Sequence, residues 1–390
     1  MSADSAPTSG RAVSLGTVAR EWTRIGITGF GGPPAHIALL RALVVERMGW
    51  MTAQEFQDAN AACGLLPGPA STQLAIFCAY RVAGPAGAIV GGFGFVVPAV
   101  VLVIALASLF LSRSPPLWIR GAGAGASAAV AAVAVQAARG LIGPSIASVR
   151  GDRLRTVRWA GYLVAGAAGA VFLGPYLVLV LLACGLVEVA VQSSQSTVMS
   201  VWLLLAPGAV STGGLGALAW TALKVGALSF GGGFVIIPLM QGDAVHVHHW
   251  MTNAQFLNAV ALGQVTPGPV VATVAAVGYA AHGVLGAILA AVVAFSPSFS
   301  FILLGGSRFA RLRGNATARA FLNGAGPAAI GAILGAGVLL ALALSEWWQF
   351  VILAAAALAL LTLRRGVVQT LLGAGVLGVI AALLGAALPA

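Results

Sequence analysis

The chain has 390 residues, of which 59% are hydrophobic and only 7% are charged. A soluble domain usually carries about 25% charged residues, so this composition excludes an ordinary soluble enzyme, and the high hydrophobicity excludes a disordered chain. The net charge of +11 comes from twenty basic and nine acidic residues, and most arginines fall in short loops between apolar stretches. That placement is typical of the positive-inside rule and argues against nucleic acid as a partner.

The apolar stretches predict an all-α polytopic membrane protein. A spanning helix needs about 20 apolar residues, so the chain has room for roughly ten to thirteen spans. A polar tail at 1–12 lacks the features of a cleaved signal peptide. In chain order, the apolar runs cover 13–45, 69–84, 86–111, 118–143, 159–173, 175–191, 203–240, 269–281, 283–304, 322–344, 350–363 and 366–389.

The sequence is a tandem duplication with an offset of 200 residues. Three separate motifs keep this register, and further glycines and a proline match at an offset of 199. We therefore predict a first transport domain at 13–195 and a second at 200–390. The matched motifs are Gly26–Pro33 with Gly226–Gly233, Trp50–Thr52 with Trp250–Thr252, and Pro67–Pro69 with Pro267–Pro269.

The loop charges predict that the two halves lie in the membrane in opposite orientations. The loop at 145–158 carries four arginines and is expected to be cytoplasmic, whereas its repeat equivalent at 345–349 has none. The next strongly basic loop is at 305–320, one span out of step with the first half. This pattern favours an inverted-topology repeat, as found in many secondary transporters.

Both halves contain a predicted helix break within an apolar run. Glycine and proline interrupt a helix, and broken backbone in a membrane survives only where protein or a water-filled cavity satisfies it. Half-helix N-termini also attract anions. The matched breaks are candidate substrate-binding segments: Phe30, Gly31, Gly32 and Pro33 in the first half, and Ser229, Phe230, Gly231 and Gly232 in the second.

The two Pro-Gly-Pro motifs form the second matched pair of candidate binding segments. Each ends an amphipathic piece and opens an apolar run, and proline suits the first turn of a helix. Nearby hydroxyl and amide groups could donate hydrogen bonds to a bound oxyanion. The candidates are Pro67, Gly68, Pro69, Ser71, Thr72 and Gln73 in the first half, and Thr266, Pro267, Gly268 and Pro269 in the second.

Charged residues near these motifs are scarce. Arg24 and Lys224 occupy one repeat position, and Lys224 is the only lysine in the chain; a pair of cations beside the breaks suits a divalent anion. Glu55 and Asp58 lie on one helical face and are candidates for proton coupling, with a solvated interfacial face as the alternative. The stretch His246–His249 is interpreted as a polar loop, and no metal site is predicted.

The combination of the Gly-x-x-x-Phe-Gly-Gly-Pro break, Trp-Met-Thr, Pro-Gly-Pro and the glycine-rich run ending at Pro98 resembles the chromate ion transporter (CHR) family, in its two-domain ChrA-type form. The resemblance covers nearly the whole chain. It implies export of chromate across the bacterial inner membrane, driven by the membrane potential or a proton gradient, with sulfate as a competitor. The second half departs from the pattern at Ser229 and Gly233.

Three functions remain distinguishable from the residues. An oxyanion carrier working by alternating access is favoured, with transport of sulfate or an anion channel as the alternatives. A membrane-embedded enzyme is not indicated, because no Ser/His/Asp set, metal motif or paired acid lies within the spans, and a Walker-type phosphate loop is absent. No cofactor is expected, lipid is the surrounding partner, and the oligomeric state is left open.

Overall fold

The computed structural model describes residues 13–66, 68–112, 114–192, 214–229, 233–305 and 315–389. The chain is all-α as predicted, and within these residues it forms fourteen α-helices and no strand. The helices are α1 (Leu15–Thr28), α2 (Pro33–Arg41), α3 (Ala53–Leu65), α4 (Ala70–Phe110), α5 (Leu117–Ala147), α6 (Arg153–Leu173), α7 (Leu177–Gln192), α8 (Leu215–Leu228), α9 (Ile236–Gln241), α10 (Asn253–Val265), α11 (Thr273–Gly305), α12 (Ala316–Leu342), α13 (Trp347–Ala357) and α14 (Val367–Leu383).

Five segments of the described chain are long and apolar enough to cross a membrane. They contain α4, α5, α6, α11 and α12. Four shorter apolar helical segments contain α7, α8, α13 and α14. The other apolar runs within the described residues form shorter helices and hairpin arms.

The first apolar run of the first half is a hairpin that turns at the predicted break. In the first half, α2 continues into a π-helix at Ala42–Arg47, and Arg47 at its end forms an ion pair with Glu21 in the middle of α1. The ring of Trp22 also stacks on that of Trp50, with centroids 6.3 Å apart. These contacts hold the end of the returning arm against α1.

The Pro-Gly-Pro segments lie at the tips of a second hairpin in each half. Each hairpin starts with a capping box, Thr52 with Glu55 in α3 and Thr252 with Gln255 in α10. The returning arm is the first part of α4 or α11. Non-helical backbone at Gly84 (φ 65°) and Gly283 (φ 62°) then redirects the chain into a long crossing helix.

Each half packs its C-terminal hairpin on the other half. Helices α6 and α7 pack against α12 of the second half, and α14 packs against α5 of the first. Helices α4 and α11 also pack on one another. The two repeats are therefore interlocked and share one core.

The hairpins of the two halves open toward opposite ends of the bundle. The start of α10 lies beside the N-terminal part of α5, where Ser127 donates a hydrogen bond to Asn258 at 2.7 Å. The start of α3 lies instead near Gly84, since Glu55 pairs with Arg81 at 2.9 Å. Gly84 is separated from α5 by the full length of the second part of α4.

The α6–α12 crossing provides a test of the interlocked core. A Cβ on Gly166 would lie 1.8 Å from the carbonyl oxygen of Ala328, whereas a Cβ on Gly161 of the same helix would meet nothing within 4 Å. We expect Gly166→Val to destabilise the protein by at least the usual overpacking cost of about 1–3 kcal/mol. Thermal unfolding of the purified protein measures this. Gly161→Val is the matched control, and equal melting temperatures for the two variants would contradict the tight crossing.

Candidate functional site

The two Pro-Gly-Pro segments each pack against the first helix and the long crossing helix of the opposite half. A Cβ on Gly268 would lie 2.7 Å from Cβ of Ala99 and 3.5 Å from the oxygen of Gly26. A Cβ on Gly68 would lie 3.2 Å from the oxygen of Gly226 and 3.5 Å from Oγ of Ser298. Gly26 and Gly226 are repeat equivalents, as are Ala99 and Ser298. Each loop therefore contacts the same repeat positions of the opposite half. We call this region, at residues 68–69 and 267–269 with their neighbours, the loop crossing.

The tight approach explains why glycine lies at the centre of each motif. Gly68 has φ 117° and Gly268 has φ 94°, a region that side chains with a Cβ rarely adopt. Gly268 also donates its backbone N–H to the carbonyl oxygen of Gly29 at 3.0 Å. This hydrogen bond joins the second-half loop to the helix break of the first half.

His36 lies at the same carbonyl oxygen and was not singled out from the sequence. The residue is fully buried, its Nε2 is 3.0 Å from the oxygen of Gly29, and its Nδ1 is 3.3 Å from Oγ of Ser71. A carbonyl oxygen only accepts hydrogen bonds, so Nε2 carries the proton and Nδ1 accepts from the Ser71 hydroxyl. His36 thus ties the break to the first turn of α4. Its signal in the sequence is a lone histidine three residues after Pro33, with Ile236 as its repeat equivalent.

Several polar side chains at the loop crossing are buried without a partner. Burying a polar group without a hydrogen bond is costly, and such groups in native proteins call for an explanation. Ser298 lies against Gly68, Thr72 lies in the first turn of α4, and Ser229 ends α8. Among the described residues, no hydrogen-bond partner is present for Oγ1 of Thr72, Oγ of Ser229, Nε2 of Gln264 or Oγ of Ser298.

The structure brings together many of the predicted binding residues. Those buried at or beside the loop crossing are Gly68, Pro69, Ser71, Thr72, Gln73, Ser229, Thr266, Pro267, Gly268 and Pro269. Gly31 and Gly32 adopt positive φ angles of 103° and 72°, and Pro33 opens α2. Phe30 is 47% exposed. Pro67, Phe230, Gly231 and Gly232 lie outside the described residues.

The two candidate cations have different surroundings. Arg24 is exposed on the outer face of α1, in a shallow groove with Arg20 and Thr23. Lys224 is largely buried, and its Nζ lies 2.5 Å from Oδ2 of Asp243, which also accepts a hydrogen bond from Thr221 at 2.8 Å. Hence the charge of Lys224 is balanced by a carboxylate of its own half.

The candidate proton carriers lie at the outer end of α3. Glu55 accepts a hydrogen bond from the backbone N–H of Thr52 at 2.9 Å, and this bond holds the pKa of its carboxyl below the ordinary value of 4.5. It also pairs with Arg81. Asp58 accepts a hydrogen bond from Gln54 at 2.8 Å. Glu55 therefore has a structural role in capping α3.

The histidines of the 246–249 stretch belong to a turn. The ring of His248 stacks on that of Trp250, with centroids 4.6 Å apart. His249 has φ 52°, and its repeat equivalent Gly49 has φ 60°. Within the described chain, no group of three or more His, Cys, Asp or Glu side chains is placed to hold a metal ion.

Two interlocked repeats, re-entrant hairpins and unpartnered polar groups at their meeting point define a membrane transporter of duplicated architecture. The chain belongs to the chromate transporter family: the family model described as "Chromate transporter" matches residues 16–189 and again 216–389. It is a multi-pass protein of the bacterial inner membrane.

Similar proteins cover most of the chain. It is 32% identical over 337 residues to the chromate transport protein of Cupriavidus metallidurans, an alignment covering 82% of this chain and 80% of that one. It is 29% identical over 345 residues to a probable chromate transport protein of Synechococcus elongatus, with 84% and 85% covered. The chromate transport protein of Pseudomonas aeruginosa is 29% identical over 335 residues, with 80% and 77% covered. No solved structure matches the chain significantly.

The Lys224–Asp243 pair gives a prediction that separates stability from anion binding. Removing one member of a buried pair costs about 3–5 kcal/mol, whereas replacing both by apolar residues is often neutral. We expect Lys224→Met to lower the melting temperature, and the double variant Lys224→Met, Asp243→Leu to regain most of the loss. Leucine is chosen because Leu43 is the repeat equivalent of Asp243. A double variant no more stable than the single one would show that the pair does not stabilise this hairpin.

Proposed function

We propose that this protein exports chromate from the cytoplasm by alternating access, with the oxyanion bound at the loop crossing. The observation that carries the proposal is the set of buried polar atoms without partners on Thr72, Ser229, Gln264 and Ser298. A tetrahedral oxyanion has acceptor oxygens facing in four directions, and it would satisfy donors arriving from both halves. The names of the similar proteins supply chromate as the leading substrate.

The proposed site consists of neutral donors. Hydroxyl and amide groups each contribute a hydrogen bond to a charged acceptor, worth about 1.5–3 kcal/mol. Lys224 is excluded from direct contact in this state because Asp243 holds it, and Arg24 lies on an outer face. We propose that Arg24, whose charge is not balanced in this way, acts at longer range on the approach of the anion.

The proposed driving force is the membrane potential, with a proton gradient as the alternative. The potential does work of about 2.3 kcal/mol per elementary charge for each 100 mV, and a dianion leaving a negative interior gains twice that. Proton coupling through the carboxylates of α3 would require Glu55 to leave its cap and Arg81, or Asp58 to leave Gln54.

The proposed mechanism uses the opposed hairpins. We propose that the halves are inverted repeats whose hairpins open to opposite sides, so that movement of one half against the other exposes the crossing first to one face and then to the other. The symmetric docking of Gly68 and Gly268 supports this, because each loop meets equivalent positions of the other half.

Ser298 provides the sharpest test of the site. Ser298→Ala removes one of the proposed donors, and its repeat equivalent is Ala99, so an alanine fits this packing position. We expect chromate transport to fall about 10- to 100-fold, the loss of one hydrogen bond to a charged group, without a fall in melting temperature. The control is Ser296→Ala, because Ser296 is exposed and bonds only to Val293 of its own helix at 2.8 Å. Unchanged transport in a well-expressed Ser298→Ala protein would remove Ser298 from the site.

Uptake of labelled chromate into everted membrane vesicles tests the function itself. We expect accumulation above that of vesicles lacking the protein, and loss of accumulation when the membrane potential is collapsed. A protonophore tests the proton gradient, and excess sulfate tests whether the site separates the two dianions. Saturable uptake supports a carrier, whereas linear uptake with single-channel currents would support an anion channel. Absence of uptake in energised vesicles with verified protein would contradict chromate export.

A further inference from the structure

A second polar cavity lies away from the loop crossing, between the two halves. It has a volume of about 190 Å³ and lies between the N-terminal part of α5, the first turns of α10 and the α12–α13 loop. For comparison, an engineered cavity of roughly 150 Å³ binds benzene, so a five-atom oxyanion fits in this space. Its polar lining includes Arg120, Ser127, Gln255, Asn258 and Gln349.

The charge of this cavity is positive. Arg120 is its only charged lining residue among those described, and it forms no ion pair within the described chain. An unpaired guanidinium in a cleft with low-dielectric walls raises the local concentration of anions. The cavity is thus suited to an anion and not to a cation.

The amide groups of the cavity also present donors. Oε1 of Gln255 accepts from the backbone N–H of Thr252 at 2.9 Å, a bond that only the oxygen makes, so Nε2 is the free end. Oδ1 of Asn258 accepts from Ser127 at 2.7 Å, which leaves Nδ2 to donate. Gln349 is already engaged, donating to the oxygen of Ala124 at 3.0 Å.

The repeat equivalents of two of these amide residues are acidic. Glu55 and Asp58 occupy the positions of Gln255 and Asn258 in the first half. The second half therefore keeps the helix cap and the polar shape but removes both negative charges. Because of this difference the cavity favours an anion, and its counterpart at the other end of the bundle does not.

The cavity lies at the end of α5 opposite the arginine-rich loop at 145–158, which the positive-inside rule assigns to the cytoplasm. Helix α10 runs from the cavity to Thr266 at the loop crossing. We propose that this cavity is an extracytoplasmic anion vestibule, a low-affinity site for the exported oxyanion on its way out. The role in export rests on the proposed function, while anion binding at the cavity does not.

Thiol labelling with sulfate as the probe tests the vestibule. The native cysteines Cys63, Cys78 and Cys184 are buried, so Ala254→Cys introduces an accessible thiol into the lining. We expect a membrane-impermeant maleimide to label the introduced thiol in intact cells, and millimolar sulfate to slow labelling severalfold. Arg120→Gln should abolish this protection. Arg319→Gln, which changes the repeat equivalent of Arg120 on α12, should leave it intact.

Three results would overturn the vestibule: labelling only in everted vesicles, sulfate that gives no protection, or sulfate protection that survives Arg120→Gln. If Ala254→Cys does not fold, Ala343→Cys reports on the same cavity from the α12–α13 loop. The readout is occupancy rather than transport. Sulfate protection without chromate uptake would therefore reject the proposed function but support the anion site in the cavity. Chromate uptake without sulfate protection would support the proposed function but reject the anion site.

Discussion

The structure depends on one constraint: broken backbone in a lipid environment must find its hydrogen bonds within the protein. The carbonyl oxygen of Gly29, freed where α1 ends, accepts from Gly268 of the other half and from His36. At this break a backbone group of the first half is satisfied partly by its own His36 and partly by the second half. The C-terminal hairpins likewise use contacts from the opposite half, since α6 and α7 of the first half cover α12 of the second.

The two halves use the same geometry with different chemistry. Each ties its first helix to the π-helix after the break by a buried carboxylate. In the first half the carboxylate is Glu21 on α1 and the cation is Arg47, whereas in the second the cation is Lys224 on α8 and the carboxylate is Asp243. The ion pair is retained, but the acidic and the basic residue exchange places between the two elements.

The sequence predicted the architecture well because its evidence was periodic and repeated. Apolar runs gave the helical class, and the matched Gly-Gly and Pro-Gly-Pro motifs located the breaks and the segments that meet at the crossing. The pairing of Lys224 with Asp243 was not predictable. The two residues lie on different arms of a hairpin, and the sequence shows these arms as one continuous apolar run. His36 and Ser298 were missed for a related reason: each is a single polar residue in an apolar stretch, and its role depends on a contact across the fold.

A site of neutral donors suits a carrier better than a site of fixed charges. Arginine or lysine held at the crossing would bind a dianion tightly and would remain as an uncompensated buried charge after its release, a state that costs several kcal/mol. Hydroxyl and amide groups leave a smaller penalty when empty, and the buried atoms of Thr72, Ser229 and Ser298 already tolerate it. In the alternating-access cycle that we propose, the empty site crosses between the two access states, so the lower cost of the empty state favours turnover. Selectivity would then come from the number and direction of the hydrogen-bond donors rather than from charge. Chromate and sulfate would be distinguished by how well each anion fits between the two loops.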